Sequence, residues 1–171
     1  MNDALINAEL GTTDDPFRVD RAADLKLASY RMFAQAQQSV NLFTYELDPR
    51  VLSDREIESV LAKLARRSRH TQIRMMVYDT TSLQSNNHRL IGLYQALSSY
   101  VAIKVVAKEH QQIPYSFYTV DDCGLIYRPN HHEFESQIYF NDKLKTKDYR
   151  KQFEEYWEQG RVASEFRVLG I

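Results

Sequence analysis

A small set of residues in this 171-residue chain could do chemistry. Asp121 and Asp122 are adjacent carboxylates, the arrangement a general base requires. They also open the reversal Asp121-Asp122-Cys123-Gly124 between two apolar runs, where turn geometry alone favours aspartate. Arg128 follows and is stiffened by Pro129; its fork-shaped guanidinium suits phosphate or carboxylate, and a salt bridge to Asp121 or Glu133 is the structural alternative. His88-Arg89, after a polar loop and at the start of a helix, form a second candidate anion contact. His131-His132 with Glu133 and Glu135 contain metal-ligand chemistry, but adjacent histidines on extended chain point to opposite faces and no His-Glu-x-x-His spacing is present. The expectation is therefore no metal and no cofactor. His110 stands in the polar segment Lys108 to Gln112, where a solvated loop histidine is the reading. Cys123 lies beside two aspartates, which raise a thiol pKa and make it inert.

The dense basic stretch is Lys63, Arg66, Arg67, Arg69, His70 and Arg74, with no acid between Lys63 and Arg74. Cations at a helix C-terminus are stabilised by the dipole, which explains the cluster without function. The functional reading is a polyanion patch for nucleic acid or an acidic partner, although no aromatic residue is interleaved to stack bases.

These residues are positioned by a repeating order of elements. Leu25, Ala28, Met32, Phe33 and Ala36 place a helix over 21–38 with Asp20 as N-cap, and Ser39 to Tyr45 read as a strand stopped by Asp48-Pro49. Ser53 and Glu56 form a capping box before Ile57, Val60, Leu61, Leu64 and Ala65, followed by a strand at 73–77 and a loop at 79–87. A helix at 88–98 and a strand at 101–106 continue the alternation. Strands at 115–120 and 125–127 then form a hairpin, 136–140 add another strand, and a final helix at 143–158 carries the stripe Tyr149, Phe153, Tyr156 and Trp157. The pattern predicts an α/β fold with a mixed sheet flanked by helices.

Length allows one domain, expected at 21–171, preceded by an acidic tail at 1–20 containing Asp3, Glu9, Asp14 and Asp15. Twenty-two Lys plus Arg against 23 Asp plus Glu leave a net charge of −1, so a nucleic-acid partner must be met locally. One cysteine excludes an internal disulfide and a Cys-based zinc site. The absence of a basic start and apolar signal region points to the cytoplasm, and the apolar runs are too short to span a bilayer.

The segments Gln38-Ser-Val-Asn-Leu-Phe-Thr-Tyr45, Thr71-Gln-Ile-Arg-Met-Met-Val-Tyr-Asp79, Ser116-Phe-Tyr-Thr-Val-Asp-Asp122 and Gln137-Ile-Tyr-Phe-Asn-Asp142 occur in an order that resembles one half-module of the phospholipase D superfamily. The resemblance covers about residues 21 to 158 and implies a single phospholipase D-like module. That family attacks phosphorus with the His of a His-x-Lys-x4-Asp motif while Lys stabilises the phosphoryl oxygens. Aligning Asp121 with the motif's Asp puts Pro114 and Ser116 at the His and Lys positions; aligning Asp122 puts Tyr115 and Phe117 there. The Gly-Ser that follows the hairpin in active members is replaced by Tyr127-Arg-Pro-Asn130. The chain also resembles a degenerate bacterial domain family whose members can be joined to acetyltransferases, but it has no Gly-rich pyrophosphate loop. The resemblance implies a non-catalytic module binding an anionic ligand, nucleic acid or protein. The alternatives are a phosphodiesterase with rewired catalysis using Asp121, Asp122 and nearby histidines, and a structural or assembly subunit whose acidic tail docks onto a basic surface. Because active members pair two half-modules, it also implies a homodimer using Tyr115 to Tyr127 and Tyr139.

Overall fold

The computed structural model describes residues 2–85 and 87–167. A short helix α1 (Asn2–Ile6) and strand β1 (Phe17–Val19) precede α2 (Ala22–Gln35), β2 (Ser39–Phe43), α3 (Pro49–Leu52), α4 (Arg55–Ala65) and β3 (Gln72–Val77). Then come α5 (Thr81–Ser85), α6 (Arg89–Ala96), β4 (Val101–Val105), β5 (Ser116–Val120), β6 (Gly124–Arg128), β7 (Ser136–Tyr139), α7 (Lys143–Gln159) and β8 (Arg161–Val162). The strands form one mixed sheet of order β1-β7-β6-β5-β2-β3-β4-β8. β2, β3 and β4 are parallel, because helices connect them, and β5 to β7 add as antiparallel neighbours through short turns.

The β2 and β3 runs Ser-Val-Asn-Leu-Phe and Gln-Ile-Arg-Met-Met-Val are buried on both sides, so each face needs a cover. Val40, Leu42, Ile73, Met75, Tyr118 and Ile126 pack under helices including α2, α4 and α6. Phe43, Met76, Phe117 and Leu125 face α7 through Phe153. A polar ladder crosses this second face: the Asn41 amide donates to Thr119 at 3.2 Å, the Arg74 Nε donates to Asn41 at 3.0 Å, and Arg74 pairs with Glu154 of α7.

Several boundaries differ from the sequence expectation. Residues 2–20, expected as a tail, are built into the fold. Leu5 is fully buried, Ala8 nearly so, and β1 pairs with β7 from Phe17↔Ile138 to Val19↔Ser136. Asp54 caps α4, accepting from Glu56 and Ile57 N–H groups, because Ser53 is consumed in ending α3. Arg21 rather than Asp20 precedes α2, and the expected loop at 79–87 contains α5.

Gly124 at the start of β6 is required by close packing. A Cβ there would stand 2.8 Å from Leu10 and 2.9 Å from Met32, which welds the N-terminal segment to the hairpin. Replacing Leu5 with Ala is therefore expected to lower unfolding free energy by about 2–5 kcal/mol, whereas a true tail position would cost nothing. Urea unfolding of Leu5→Ala beside Ile6→Ala, a residue 46% exposed, measures the contrast.

Candidate functional site

At the carboxyl ends of the parallel strands, where open α/β sheets place ligands, the chain leaves β2 through Thr44 to Asp48. Leu47 has a φ of 54°, a left-handed conformation costly for a branched residue. Three hydrogen bonds hold it: the Thr44 hydroxyl donates to Met76 O and accepts from Leu47 N–H, and His88 Nε2 lies 2.7 Å from Leu47 O. The carbonyl can only accept, so Nε2 carries the proton and His88 Nδ1 is free to cap Leu90 N–H at 3.0 Å.

Asp48 is the next residue and meets Arg128 at the end of β6. Their side chains are 7% and 4% exposed, and Arg128 Nη2 donates to Asp48 Oδ2 at 2.9 Å. Arg50 donates to both Asp48 oxygens at 3.0 Å, and Arg128 Nε donates to Glu133 O while its guanidinium lies over the Phe134 ring. Burial alone would raise the Asp48 pKa, but the donors Arg50 and Arg128 outweigh it and hold the carboxyl below its ordinary range.

Ser116 and His131 complete the site. His131 Nε2 donates to Ile113 O at 2.8 Å, so its Nδ1 accepts the Ser116 hydroxyl. The Ile113 carbonyl also accepts from Tyr78, whose ring, with Tyr45, walls the imidazole. A serine hydroxyl directed at a neutral imidazole is the geometry of an activated nucleophile. Here the remaining space among Thr44, Tyr45, Glu46, Asp48, Ser116, Tyr118, Arg128 and His131 is about 10 Å³, barely one water. No phosphoryl group reaches the serine in this conformation.

The structure redistributes the residues singled out from sequence. Arg128 and His88 meet on the Leu47–Asp48 loop, both buried. Asp121 stands at the other end of the hairpin, with a φ of 52°, accepting N–H groups of Gln37, Gln38 and Ser39; Asp122 beside it is exposed. Those aspartates thus anchor and flank a turn remote from Arg128. Cys123 is buried and its thiol is pushed up to about 11 by desolvation, with Asp122 and Asp121 adding to the effect. No group of three metal-binding side chains exists among the described residues.

The basic stretch is divided. Arg74 points into the α7 face, over Phe153 and Trp157, and is buried. Arg69 is exposed at the turn before β3, beside a separate depression that includes Thr71 and Tyr100. Lys63, Arg66 and Arg67 instead join Arg55 and Arg89 along an open groove of about 1020 Å³ between α2, α4 and α6. Glu58, paired with Arg89 at 3.1 Å, is the single carboxylate among its lining residues. A second basic surface, missed in the sequence reading, comprises Lys143, Lys145, Lys147, Arg150 and Lys151 of α7; its signal was the interleaving of cations with Leu144, Thr146, Asp148 and Tyr149 rather than an unbroken run.

A mixed sheet with this order, helices on both faces and a site at the hairpin end define a phospholipase D-like fold. Nuc from Salmonella typhimurium, a phospholipase D family member, has a TM-score of 0.62 at 10% identity, covering 86% of this chain and 98% of its own. NucT from Helicobacter pylori has a TM-score of 0.59 at 15% identity, with the same 86% and 98% coverage. TrmBL2, an archaeal chromatin protein whose structure shows a novel mode of DNA binding, has a TM-score of 0.66 at 14% identity; 94% of this chain matches 58% of that one. No curated protein matches the sequence. Residues 21–169 match the family described as Domain of unknown function (DUF7931), and the chain belongs to that family.

Removing Asp48 would leave Arg128 buried without a counter-charge, so Asp48→Ala is expected to cost about 3–5 kcal/mol in urea unfolding. The histidines generate a pH effect as well. Burial lowers the pKa of both His131 and His88 below the ordinary 6.5, so the unfolded chain binds protons that the folded one refuses. Stability is complete above pH about 6.5 and declines as pH falls from there towards the lowered folded values. The urea midpoint should drop between pH 7.5 and 5, with a smaller drop in His131→Gln.

Proposed function

We propose that this chain is a non-catalytic phospholipase D-like domain that binds nucleic acid through its phosphate backbone. The observation that carries this reading is the groove between α2, α4 and α6, where Arg55, Lys63, Arg66 and Arg67 have no carboxylate partner among the described residues. Small residues such as Ala34, Ala62, Gly92 and Ala96 line it and leave room for a phosphodiester chain. Neutralised phosphates release counterions, giving affinity without base readout. TrmBL2, with the same fold, binds DNA according to its structure's description, which supports the reading.

The closed pocket at Ser116 argues against turnover, and its Asp48–Arg128 pair is already charge-balanced. Neither register of the motif supplies His and Lys. The single cysteine, buried as a free thiol, fits a reducing compartment such as the cytoplasm, and no helix among the described residues is long and apolar enough to cross a membrane. With Asp121 held by the amides before β2, the hydrolase alternative read on Asp121, Asp122 and nearby histidines passes to the Ser116–His131 pair and makes a separable demand: Ser116→Ala must abolish any activity.

Anisotropy titration with a labelled 20-base-pair DNA duplex should show affinity falling about 10³-fold or more between 50 and 200 mM salt if six or more phosphates are contacted. Arg66→Glu with Arg67→Glu should weaken duplex binding and flatten that dependence. Duplex binding indifferent to both changes would sink the groove assignment. Bis(p-nitrophenyl) phosphate, offered with and without divalent metal, should not turn over; hydrolysis lost in Ser116→Ala would replace the binding reading with the hydrolase.

A further inference from the structure

The face of the sheet opposite the groove is covered by one long helix, and that helix carries its charges in an unusual order. Lys143, Lys145 and Lys147 occupy its first two turns, where Asp148 is the one carboxylate and none lies in the first turn, while Glu154, Glu155 and Glu158 lie towards its end. The macrodipole favours the reverse arrangement by about 0.3–1 kcal/mol per charge. α4 has that favourable order at Glu56 and Glu58 in its first turn and Lys63 in its last, with Arg55 at its first position the exception. The dipole thus accounts for Glu56, Glu58 and Lys63 on α4 but not for the lysines on α7. The α7 cations do not make ion pairs among the described residues, and Asp142 already caps the helix by accepting from Lys145 N–H. Lys143, Lys145, Lys147 and Lys151 are exposed, and Arg150 is half-buried.

Beside these cations, the sheet presents rings. Tyr127 and Tyr139 project from β6 and β7 on the α7 side, since Tyr139 pairs in register with Leu125 and Tyr127 with Gln137. Tyr149 of α7 and Tyr115 each lie 5.5 Å from Tyr127 between ring centroids and 6.5 Å from one another, so the three rings form a cluster. All four tyrosines are only half-buried, and the Lys145 ammonium lies over the Tyr139 ring, 5.5 Å from its centre, leaving the opposite face of the ring for a base. Lys143, Lys147 and Arg150 also border a depression of about 330 Å³ with Asp122.

We infer that the surface formed by β6, β7 and the first half of α7 binds single-stranded nucleic acid. Lys143, Lys145, Lys147 and Arg150 hold the phosphates, while unpaired bases stack on Tyr139 and its tyrosine neighbours. A duplex hides its base faces within its own stack and would use only the cations. A single strand engages both components, and stacking on an aromatic ring tolerates any base. The inference deepens the nucleic-acid reading above but uses different residues on the other face of the sheet, so each stands or falls separately.

The test compares a labelled oligo-dT of 20 nucleotides with the 20-base-pair duplex in anisotropy titrations of the full chain. Lys145→Glu with Lys147→Glu should weaken oligo-dT binding at least tenfold and leave most duplex binding intact. Tyr139→Ala should weaken it at least about fivefold, and Tyr139→Phe, which keeps the ring, should restore it. Tyr139 and the lysines are at the surface, and circular dichroism of each variant verifies folding. Arg66→Glu with Arg67→Glu should reduce duplex binding alone. Oligo-dT binding that ignores Tyr139→Ala and the lysine changes overturns the inference while leaving the groove reading untouched. So does light scattering showing a dimer that Lys145→Glu with Lys147→Glu splits, because the face would then belong to a second copy of the chain. Loss of duplex binding in the wild type with oligo-dT binding retained would remove only the groove reading.

Discussion

The buried contact between Asp48 and Arg128 joins the parts of the molecule that local sequence leaves separate. Two charges taken from water cost several kcal/mol each, and the cost is recovered only when every donor and acceptor finds a partner. Here Asp48 receives Arg50 as well as Arg128, while Arg128 also reaches the Glu133 carbonyl and lies against Phe134. The pair thereby links the β2 exit loop, the end of β6 and the segment leading to β7. Its neighbours depend on that link: the strained Leu47 is pinned between Thr44 and His88, and His131 is fixed over Ser116 by Ile113.

The same ion pair fixes the groups gathered at this end of the sheet, a hydroxyl, an imidazole, a carboxylate and a guanidinium. Catalysis by differential binding needs donors free to meet developing charge. The guanidinium already faces a carboxylate, and the imidazole's Nε2 is committed to a carbonyl. Groups that satisfy one another around a space of about 10 Å³ contribute first to the fold.

The alternation of helix and strand from α2 to β4, the β5–β6 hairpin and α7 were legible because their apolar periods extend over five residues or more. β1 and β8 span three and two residues, too few to show a period, and α3 and α5 are single turns recognised only by their caps and contacts. The N-terminal segment read as a tail because its few apolar residues show no repeat; burial comes from Leu5 and Leu10 docking on α2 and Gly124. At the site, Arg128 was visible as a residue type, but its partner lies 80 positions away and carries no local signal. Asp48 read only as a strand stop. Asp121 was legible as turn chemistry, and the structure adds its reach back to three amides before β2.

Charge placement separates what folding requires from what it tolerates. On the helical face, Glu56 and Glu58 near the start of α4 and Lys63 at its end contribute to helix stability before any ligand is considered, whereas Arg55 at its first position opposes the dipole and lines the groove. On the other face, Arg74 is drawn inward to Asn41 and Glu154, and its guanidinium lies over Phe153 and Trp157, so a cation counted in the sequence is absent from the surface. The surface charge there comes instead from α7, where lysines oppose the dipole and stand next to rings that one helix is too narrow to cover. A stabilising charge has its reason inside the fold. A charge that works against its own helix has no such reason, and its location beside uncovered tyrosines directs the search for function to that face.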